Sequence, residues 1–249
     1  MKNYTIEVCA GSYEDCLAAA KGKADRVELN SALALGGLSP TEATLIAVKR
    51  DLPLKVICMV RPRAAGFHYN AIEKQMMFEE ARRFLENGAD GIAFGFLNED
   101  GTIDESSTAK MIDLIHSYGK EAVFHRAIDV TPDYAKAFEQ LCKLHADRVL
   151  TSGQQAKAVD GAKAIKDMQD RYGNQIEILA GSGVNASNAK SLMEQTGIHQ
   201  VHSSCKGYET DPTTSGKAVS YAYLDGGHHN DYDVVKEELV YNLVQSVYE

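Results

Sequence analysis

The sequence predicts a single domain of the α/β class, a closed barrel in which eight parallel strands alternate with helices. Three observations favour this fold: a length of 249 residues with 44% hydrophobic side chains, eight short β-branched runs, and a stretch of helical periodicity after each run. Successive runs start roughly 30 residues apart, which leaves room for a return helix and makes neighbouring strands parallel. Eight such units are typical of a TIM (β/α)8 barrel, here spanning 1–249.

The predicted strands are rich in apolar and β-branched side chains. They are Thr5–Val8, Arg26–Leu29, Lys55–Val60, Gly91–Phe94, Ala122–Phe124, Arg148–Leu150, Ile176–Leu179 and Gln200–His202. An open, doubly wound sheet is the competing architecture. We favour the barrel because no early strand is followed by the GxGxxG turn of a dinucleotide-binding fold.

Capping residues predict where helices begin. Ser39-Pro40-Thr41-Glu42 combines a capping serine with proline at the first helical position, so a helix is expected from Pro40. Ser12 and Thr131 open similar segments before the first and fifth helices. Further helices are expected near Ile72–Asn87, Ser106–Tyr118, Ala158–Arg171, Ala186–Thr196 and Asp233–Val247.

Composition restricts the partners and the compartment. Lys and Arg total 26 against 35 Asp and Glu, a net charge of −9, which disfavours nucleic acid or an anionic membrane as the main partner. No stretch reaches the roughly 20 apolar residues that cross a bilayer. Because the N-terminus also lacks the pattern of a secretory signal, a cytoplasmic location is expected. The five cysteines are odd in number and widely spread, which is typical of free thiols.

Strand parity predicts which side chains face the barrel axis. In the first strand Ile6 and Val8 suit the surrounding helices, which turns their neighbours Glu7 and Cys9 inward. The same reasoning at the other strands gives an inner set of acids, imidazoles, a guanidinium and smaller polar groups: Glu7, Cys9, Glu28, Asn30, Arg61, His125, Thr151 and His202. A barrel interior that serves packing alone holds Val, Ile and Leu. Buried charges need one another, a ligand or a metal.

The inner set predicts an acid–base site at the C-terminal end of the barrel, where enzymes of this fold place their chemistry. In this interpretation Glu7 or Glu28 is the general acid or base. His125 carries a proton, and Arg61 holds the anionic group of a small-molecule substrate. The reaction would be of the lyase, isomerase or hydrolase type. The alternative is a structural network in which Arg61 neutralises one glutamate and the histidines only complete hydrogen bonds.

A glycine-containing turn after the seventh predicted strand is a candidate anion site. It precedes a predicted helix, and a helix N-terminus favours negative charge. The turn after the eighth strand completes the corner where this fold often binds phosphate. Binding of a phosphate or carboxylate group is therefore assigned to Asn30, Thr151, Gly181, Ser182, Gly183 and Ser203. A turn that needs glycine only for its backbone conformation is the alternative.

The segment from Lys206 to Asn230 exceeds the usual length of a connection and holds few helix signals. We expect it either to cover the mouth of the barrel or to join a partner subunit in a homo-oligomer. An ordered surface loop without a chemical role is the alternative.

Several segments together resemble the CutC family, whose members are associated with copper homeostasis. They are Glu7-Val8-Cys9, Ala24-Asp25-Arg26-Val27-Glu28-Leu29, Gly36-Gly37-Leu38-Ser39-Pro40, Arg61-Pro62-Arg63, Asp90-Gly91 with Phe94-Gly95, Glu99-Asp100-Gly101, Phe124-His125-Arg126-Ala127, Arg148-Val149-Leu150-Thr151-Ser152-Gly153 and Val201-His202-Ser203. The resemblance implies a TIM barrel, a cytoplasmic location and a role in copper handling, with Cu(I) as the bound ion. Asn30 stands where many members have a second inward cysteine.

One candidate copper site can be built from the sequence. Closure of a barrel places the first strand beside the eighth, which would bring Cys9 toward Cys205, with His202 nearby. Thiolates are ligands that Cu(I) prefers. The alternative is that the three side chains are independent residues of the barrel rim.

Overall fold

The computed structural model describes residues 4–248, and these form a single-domain closed barrel of eight parallel strands. The strands are β1 (Thr5–Ala10), β2 (Arg26–Leu29), β3 (Lys55–Met59), β4 (Gly91–Phe94), β5 (Glu121–Phe124), β6 (Arg148–Thr151), β7 (Glu177–Ala180) and β8 (Gln200–Ser203). Each strand pairs with the next, and β8 pairs with β1, where Ile6 lies opposite Val201. The barrel prediction is confirmed and the open sheet is wrong. The ends of the predicted span, residues 1–3 and 249, lie outside the described residues.

Eight helices surround the barrel. They are α1 (Tyr13–Lys21), α2 (Glu42–Asp51), α3 (Ala71–Glu86), α4 (Glu105–Ser117), α5 (Tyr134–Lys143), α6 (Ala162–Tyr172), α7 (Ala189–Thr196) and α8 (Glu237–Tyr248). Ser12 caps α1 as predicted, since its side chain accepts a hydrogen bond from the amide of Asp15. No described helix has both the length and the apolar character that crossing a membrane requires.

The predicted starts of several helices were wrong. Helix α2 begins at Glu42 rather than Pro40, because Thr41 provides the cap by accepting from the amide of Thr44. The hydroxyl of Ser39 is engaged elsewhere, accepting from the Arg61 amide at 3.0 Å.

Four other helices also begin later than expected, among them α7, which begins at Ala189 rather than Ala186. Asp133, and not Thr131, caps α5, and α6 begins four residues after the predicted Ala158. Helix α8 begins at Glu237, because the predicted first residues of this helix form a strand instead.

The predicted alternation of inward and outward side chains along the strands is observed in the barrel. Val8, Val27 and Cys58 pack in the layer between strands and helices. Four apolar side chains of the interior form a separate small cluster, Ile57, Met59, Ala93 and Val123. Leu150 also faces the interior. Polar and charged side chains occupy much of the rest, which is unusual for a barrel core.

A layer of buried ion pairs closes the barrel below the mouth. The guanidinium of Arg26 pairs with Glu7 and donates to Gln200 Oε1 at 2.8 Å. Arg148, also buried, pairs with Glu177 at 2.6 Å and with Glu121 at 3.0 Å. Both guanidinium groups of this layer thus have a carboxylate partner, which compensates for their lost hydration.

The segment after β8 forms an antiparallel two-stranded ribbon of β9 (Lys206–Thr210) and β10 (Asp231–Val235). Its base is fixed to helix α1, because the amide of Val235 donates to Asp15 Oδ1 at 2.7 Å. Lys206 and Asp233 line the cavity at the barrel mouth. The base of the ribbon therefore lies at the rim of the mouth. Coverage of the mouth by the whole segment, or contact of the segment with a partner subunit, stays a prediction.

Candidate functional site at the barrel mouth

A cavity of about 390 Å³ opens at the C-terminal end of the barrel. Side chains from β1, β2 and β8 form its inner wall, and the segments after β3 and β5 supply a cation and an imidazole. Among the predicted site residues, this cavity brings together Cys9, Glu28, Asn30, Arg61, His125, Ser182, Gly183, His202 and Ser203. Most of the predicted set therefore shares one pocket.

Glu7 lies below the cavity and forms a hydrogen bond with the ring of His202, on the side of the ring that faces away from the cavity. Glu7 is 1% exposed, and its Oε1 lies 2.8 Å from Nδ1 of His202. A carboxylate can only accept, so Nδ1 of His202 carries the proton in this pair. Glu7 is thus a positioning residue, and the Nε2 edge of His202 is left for the cavity.

The environment gives this pair opposite charges. Burial acts to raise the pKa of Glu7, but Arg26 and His202 outweigh it and hold the pKa far below its ordinary value. Burial acts to lower the pKa of His202, but its contacts with Cys9 and Glu7 raise that pKa well above 6.5. At neutral pH the pair is a carboxylate and an imidazolium.

Cys9, Glu28 and His202 form a cluster at the inner end of the cavity. One ligand atom from each lies within 4.8 Å of the others. Asn30 Nδ2 donates to Glu28 Oε2 at 2.9 Å and approaches Cys9 Sγ at 3.6 Å. Burial raises the pKa of Glu28 and of the Cys9 thiol, so both favour their neutral forms. A thiol, a carboxyl group and an imidazole ring therefore lie next to one another.

Arg61 is a buried cation whose partners are neutral. Its Nη1 donates to the carbonyls of Leu35 and Gly37, and its Nη2 donates to that of Ala65. Within the described residues, no carboxylate lies within ion-pair distance of this guanidinium, and its Nε is buried without a hydrogen-bond partner. The prediction that Arg61 could neutralise a glutamate is wrong, because Arg26 pairs with Glu7 instead.

His125 presents a second buried donor. Its Nδ1 accepts from the amide of Ala127 at 3.1 Å, so the neutral ring carries its proton on Nε2, which has no partner. Burial, with a smaller contribution from Arg61, lowers the pKa of His125 to about 3. His125 is therefore a neutral hydrogen-bond donor at physiological pH. Phe67 lies between these two donors, 4.9 Å from the His125 ring and 5.2 Å from the Arg61 guanidinium.

Among the described residues, three of the six buried side-chain polar atoms without a hydrogen-bond partner belong to residues that line this cavity. Three residues that line it each have one buried side-chain atom without a partner: Asn30 Oδ1, Arg61 Nε and His125 Nε2. Buried polar groups in proteins are nearly always hydrogen-bonded. One acceptor and two donors left open in one pocket indicate a polar ligand.

Two predicted site residues lie elsewhere. Thr151 points away from the barrel axis and contacts Tyr134 Oη at 2.7 Å and Asp129 Oδ1 at 2.5 Å. The inward neighbour in β6 is Leu150, which lines the cavity. Cys205 packs in the core outside the cavity, where its thiol donates to Ser203 Oγ at 3.5 Å. The predicted trio of Cys9, Cys205 and His202 is not brought together; Glu28 occupies the third place.

The glycine-containing turn reaches the cavity, but not as a helix N-terminus. Ser182 and Gly183 line the pocket, while α7 begins only at Ala189. The hydroxyls of Ser182 and Ser203 donate to main-chain carbonyls at 2.7 and 2.6 Å. Gly181 packs closely against Leu150 and His202, since a Cβ at this position would lie 2.7 Å from Leu150 Cδ1 and 3.3 Å from His202 Cδ2. The turn therefore shapes the wall of the pocket.

Sequence reasoning missed three residues of the site. Phe67 lies in the segment between β3 and α3, where no periodicity indicates direction, and Lys206 begins β9, a strand that the sequence did not predict. Arg26 could have been found, because it has the same strand parity as the inward Glu28. All five cysteines are free, as the sequence predicted.

Comparison with known proteins identifies the family. The sequence profile of the CutC family matches residues 4–207. A CutC family protein of Treponema denticola is 47% identical over 236 residues, which cover 95% of this chain and 94% of that protein. A relative from Bacteroides thetaiotaomicron is 37% identical over 254 residues, which cover 99% of both.

Solved structures agree with this assignment. A CutC protein of Streptococcus agalactiae, named for copper homeostasis, matches with a TM-score of 0.76 at 31% identity, over 81% of this chain and 98% of that one. Phosphoribosylanthranilate isomerase of Pyrococcus furiosus matches with a TM-score of 0.55 at 13% identity, over 98% of both chains, which shows a shared barrel fold alone. The profile, the relatives and the solved CutC structure together show that this chain belongs to the CutC family.

Proposed function

We propose that this protein is a cytoplasmic enzyme that acts on a small anionic metabolite at the mouth of its barrel. One observation carries the proposal: Arg61 Nε and His125 Nε2 are buried donors without partners, and both residues line one cavity. A buried guanidinium without a carboxylate costs several kcal/mol unless an anion compensates it. A carboxylate or phosphate group of the substrate supplies that compensation.

The neighbouring groups suit proton transfer to such a substrate. Glu28 is the general acid in this proposal, because burial raises its pKa and so favours the protonated form. The imidazolium of His202, held by Glu7 on its far side, is a second proton donor. His125 orients the substrate as a neutral donor rather than carrying a proton, because its pKa is about 3. These roles support a lyase or isomerase type of reaction, in which a proton is moved.

The proposal predicts that ligand binding depends on Arg61. In a thermal-shift screen of small carboxylates and phosphate esters, we expect at least one compound to raise the melting temperature of the wild type, since ligands stabilise the folded state that binds them. Arg61→Ala should lose this response. Arg63→Ala is the matched control, because Arg63 is half-exposed and already pairs with Glu73. A library without any stabilising compound, or an Arg61→Ala variant that responds like the wild type, contradicts the proposal.

Binding of Cu(I) is a second candidate function. It is favoured by the position of the Cys9 thiol beside the His202 imidazole in one cluster, and by the copper homeostasis name of the Streptococcus agalactiae relative. The cluster offers only one sulfur, and its third member is the carboxylate Glu28, which suits Cu(I) less well than a thiolate.

Competition with a Cu(I) chelator under reducing conditions tests this candidate. If the cluster binds copper, the wild type takes Cu(I) from the chelator and Cys9→Ser does so far less well. Cys205→Ser should behave like the wild type, because Cys205 lies outside the cluster. A wild type that leaves all Cu(I) with the chelator excludes the candidate.

A further inference from the structure

The cluster of Cys9, Glu28 and His202 has a mixed donor set that fits one class of ion better than copper. Its ligand atoms are a sulfur, a carboxylate oxygen and an imidazole nitrogen, all within 4.8 Å of one another. Zn²⁺ takes all three ligand types, and its catalytic sites have three protein ligands and one open position. Cu(I) favours sites built from several soft sulfur ligands.

The charge of the cluster also favours a divalent ion. Metal binding displaces the protons of Cys9, Glu28 and His202, so the ligands become a thiolate, a carboxylate and a neutral imidazole, which together carry two negative charges. A divalent cation balances both, whereas a monovalent cation leaves one negative charge buried, which is costly. Glu7 does not change this count, because Arg26 pairs with it directly.

The outer hydrogen bonds of the cluster resemble those around metal ligands. Glu7 Oε1 accepts from His202 Nδ1 at 2.8 Å, which turns Nε2 toward Cys9 and Glu28. A carboxylate behind a metal-binding histidine fixes the ring in this way. Asn30 Nδ2 donates to Glu28 Oε2 at 2.9 Å and leaves the other oxygen free. The ligands are therefore oriented by the protein itself.

The open side of the cluster faces the cavity. Cys9, Glu28 and His202 line it together with Arg61 and His125, whose unpartnered donors are an independent sign of a bound ligand. We propose that Cys9, Glu28 and His202 bind one Zn²⁺ ion, with the fourth coordination position directed into the cavity. This inference goes beyond the proposed function, since it requires neither an anionic substrate nor a particular reaction. With Zn²⁺ bound, Glu28 and His202 would be unprotonated ligands and no longer proton donors, whereas the anion-binding roles of Arg61 and His125 would stay.

Zinc titration of the metal-free protein against a chromogenic chelator tests the proposal. We expect one equivalent of Zn²⁺ to bind to the wild type, and binding to weaken by more than about tenfold in Cys9→Ser and in Glu28→Gln. Both changes nearly preserve side-chain shape. Cys142→Ser is the control, because that thiol lies on α5 away from the cluster.

Cobalt gives a second measurement on the unmodified protein. Co²⁺ in the same site should produce a sulfur charge-transfer absorption band, and Cys9→Ser should abolish that band. The proposal is overturned if the wild type does not compete for Zn²⁺, if Cys9→Ser binds as well as the wild type, or if the wild type binds Cu(I) and not Zn²⁺. Zinc binding without any anion response leaves this proposal standing and contradicts only the proposed function.

Discussion

Replacement of Glu7 by glutamine is expected to lower the free energy of unfolding by about 3–5 kcal/mol, the usual cost of breaking a buried ion pair. Glu7 is 1% exposed and faces two cations, Arg26 and His202. Without the charge of Glu7, Arg26 loses its directly paired carboxylate and keeps neutral acceptors such as the amide oxygen of Gln200. Chemical denaturation at pH 6 measures the effect. Glu121→Gln is the control, because Arg148 keeps its second partner, Glu177.

The pH dependence of this loss follows from the two pKa shifts. The lowered pKa of Glu7 stabilises the fold above pH 4.5, the ordinary value, and this contribution disappears as the pH falls toward the lowered pKa. The raised pKa of His202 stabilises the fold below pH 6.5, and this contribution disappears as the pH rises through the raised pKa. The difference between wild type and Glu7→Gln should therefore be largest between about pH 4.5 and 6.5. An equal difference at pH 3 and pH 6 contradicts the assignment.

Gly95→Ala is expected to destabilise the protein by about 1–3 kcal/mol, as overpacking of a core does, and to abolish the response to anions. A Cβ on Gly95 would lie 2.6 Å from Cε1 of His125 and 2.8 Å from Cβ of Ala127. These contacts are too short, so the His125 ring must move and lose its bond to the Ala127 amide. Donation from His125 Nε2 into the cavity is then misdirected.

Gly66→Ala is the matched control for Gly95, because no atom lies within 4 Å of the added Cβ. Denaturation curves measure the stability of both variants, and the thermal-shift screen measures their ligand response. If Gly95→Ala keeps both the stability and the ligand response of the wild type, His125 is not held in the position described.

The sequence predicted the barrel and most of the inward side chains for a simple reason. Alternation along a strand has a period of two, so apolar residues such as Ile6 and Val8 fix the direction of Glu7 and Cys9. The rule holds only within a strand. Cys205 follows the end of β8 with a φ of +41°, where parity no longer applies, and its thiol turns into the core.

Helix starts were predicted less well, because several residues in one segment can serve as caps. Ser39 and Thr41 both suit the N-terminus of α2, and the choice depends on a distant residue. The Ser39 hydroxyl accepts from the Arg61 amide and donates to Glu80, which leaves Thr41 to cap the helix. Tertiary contacts of this kind are absent from local sequence patterns.

The sequence by itself determined that acids, imidazoles and a guanidinium face the inside of a closed barrel, because local periodicity sets the side to which each points. Only the tertiary structure decided which of them meet. Closure of the barrel places Glu7 level with Arg26 on one side and with His202 on the other. This register brings together residues that lie 19 and 195 positions apart in the chain. The same fold leaves Arg61 and His125 each with one buried donor that no described residue satisfies.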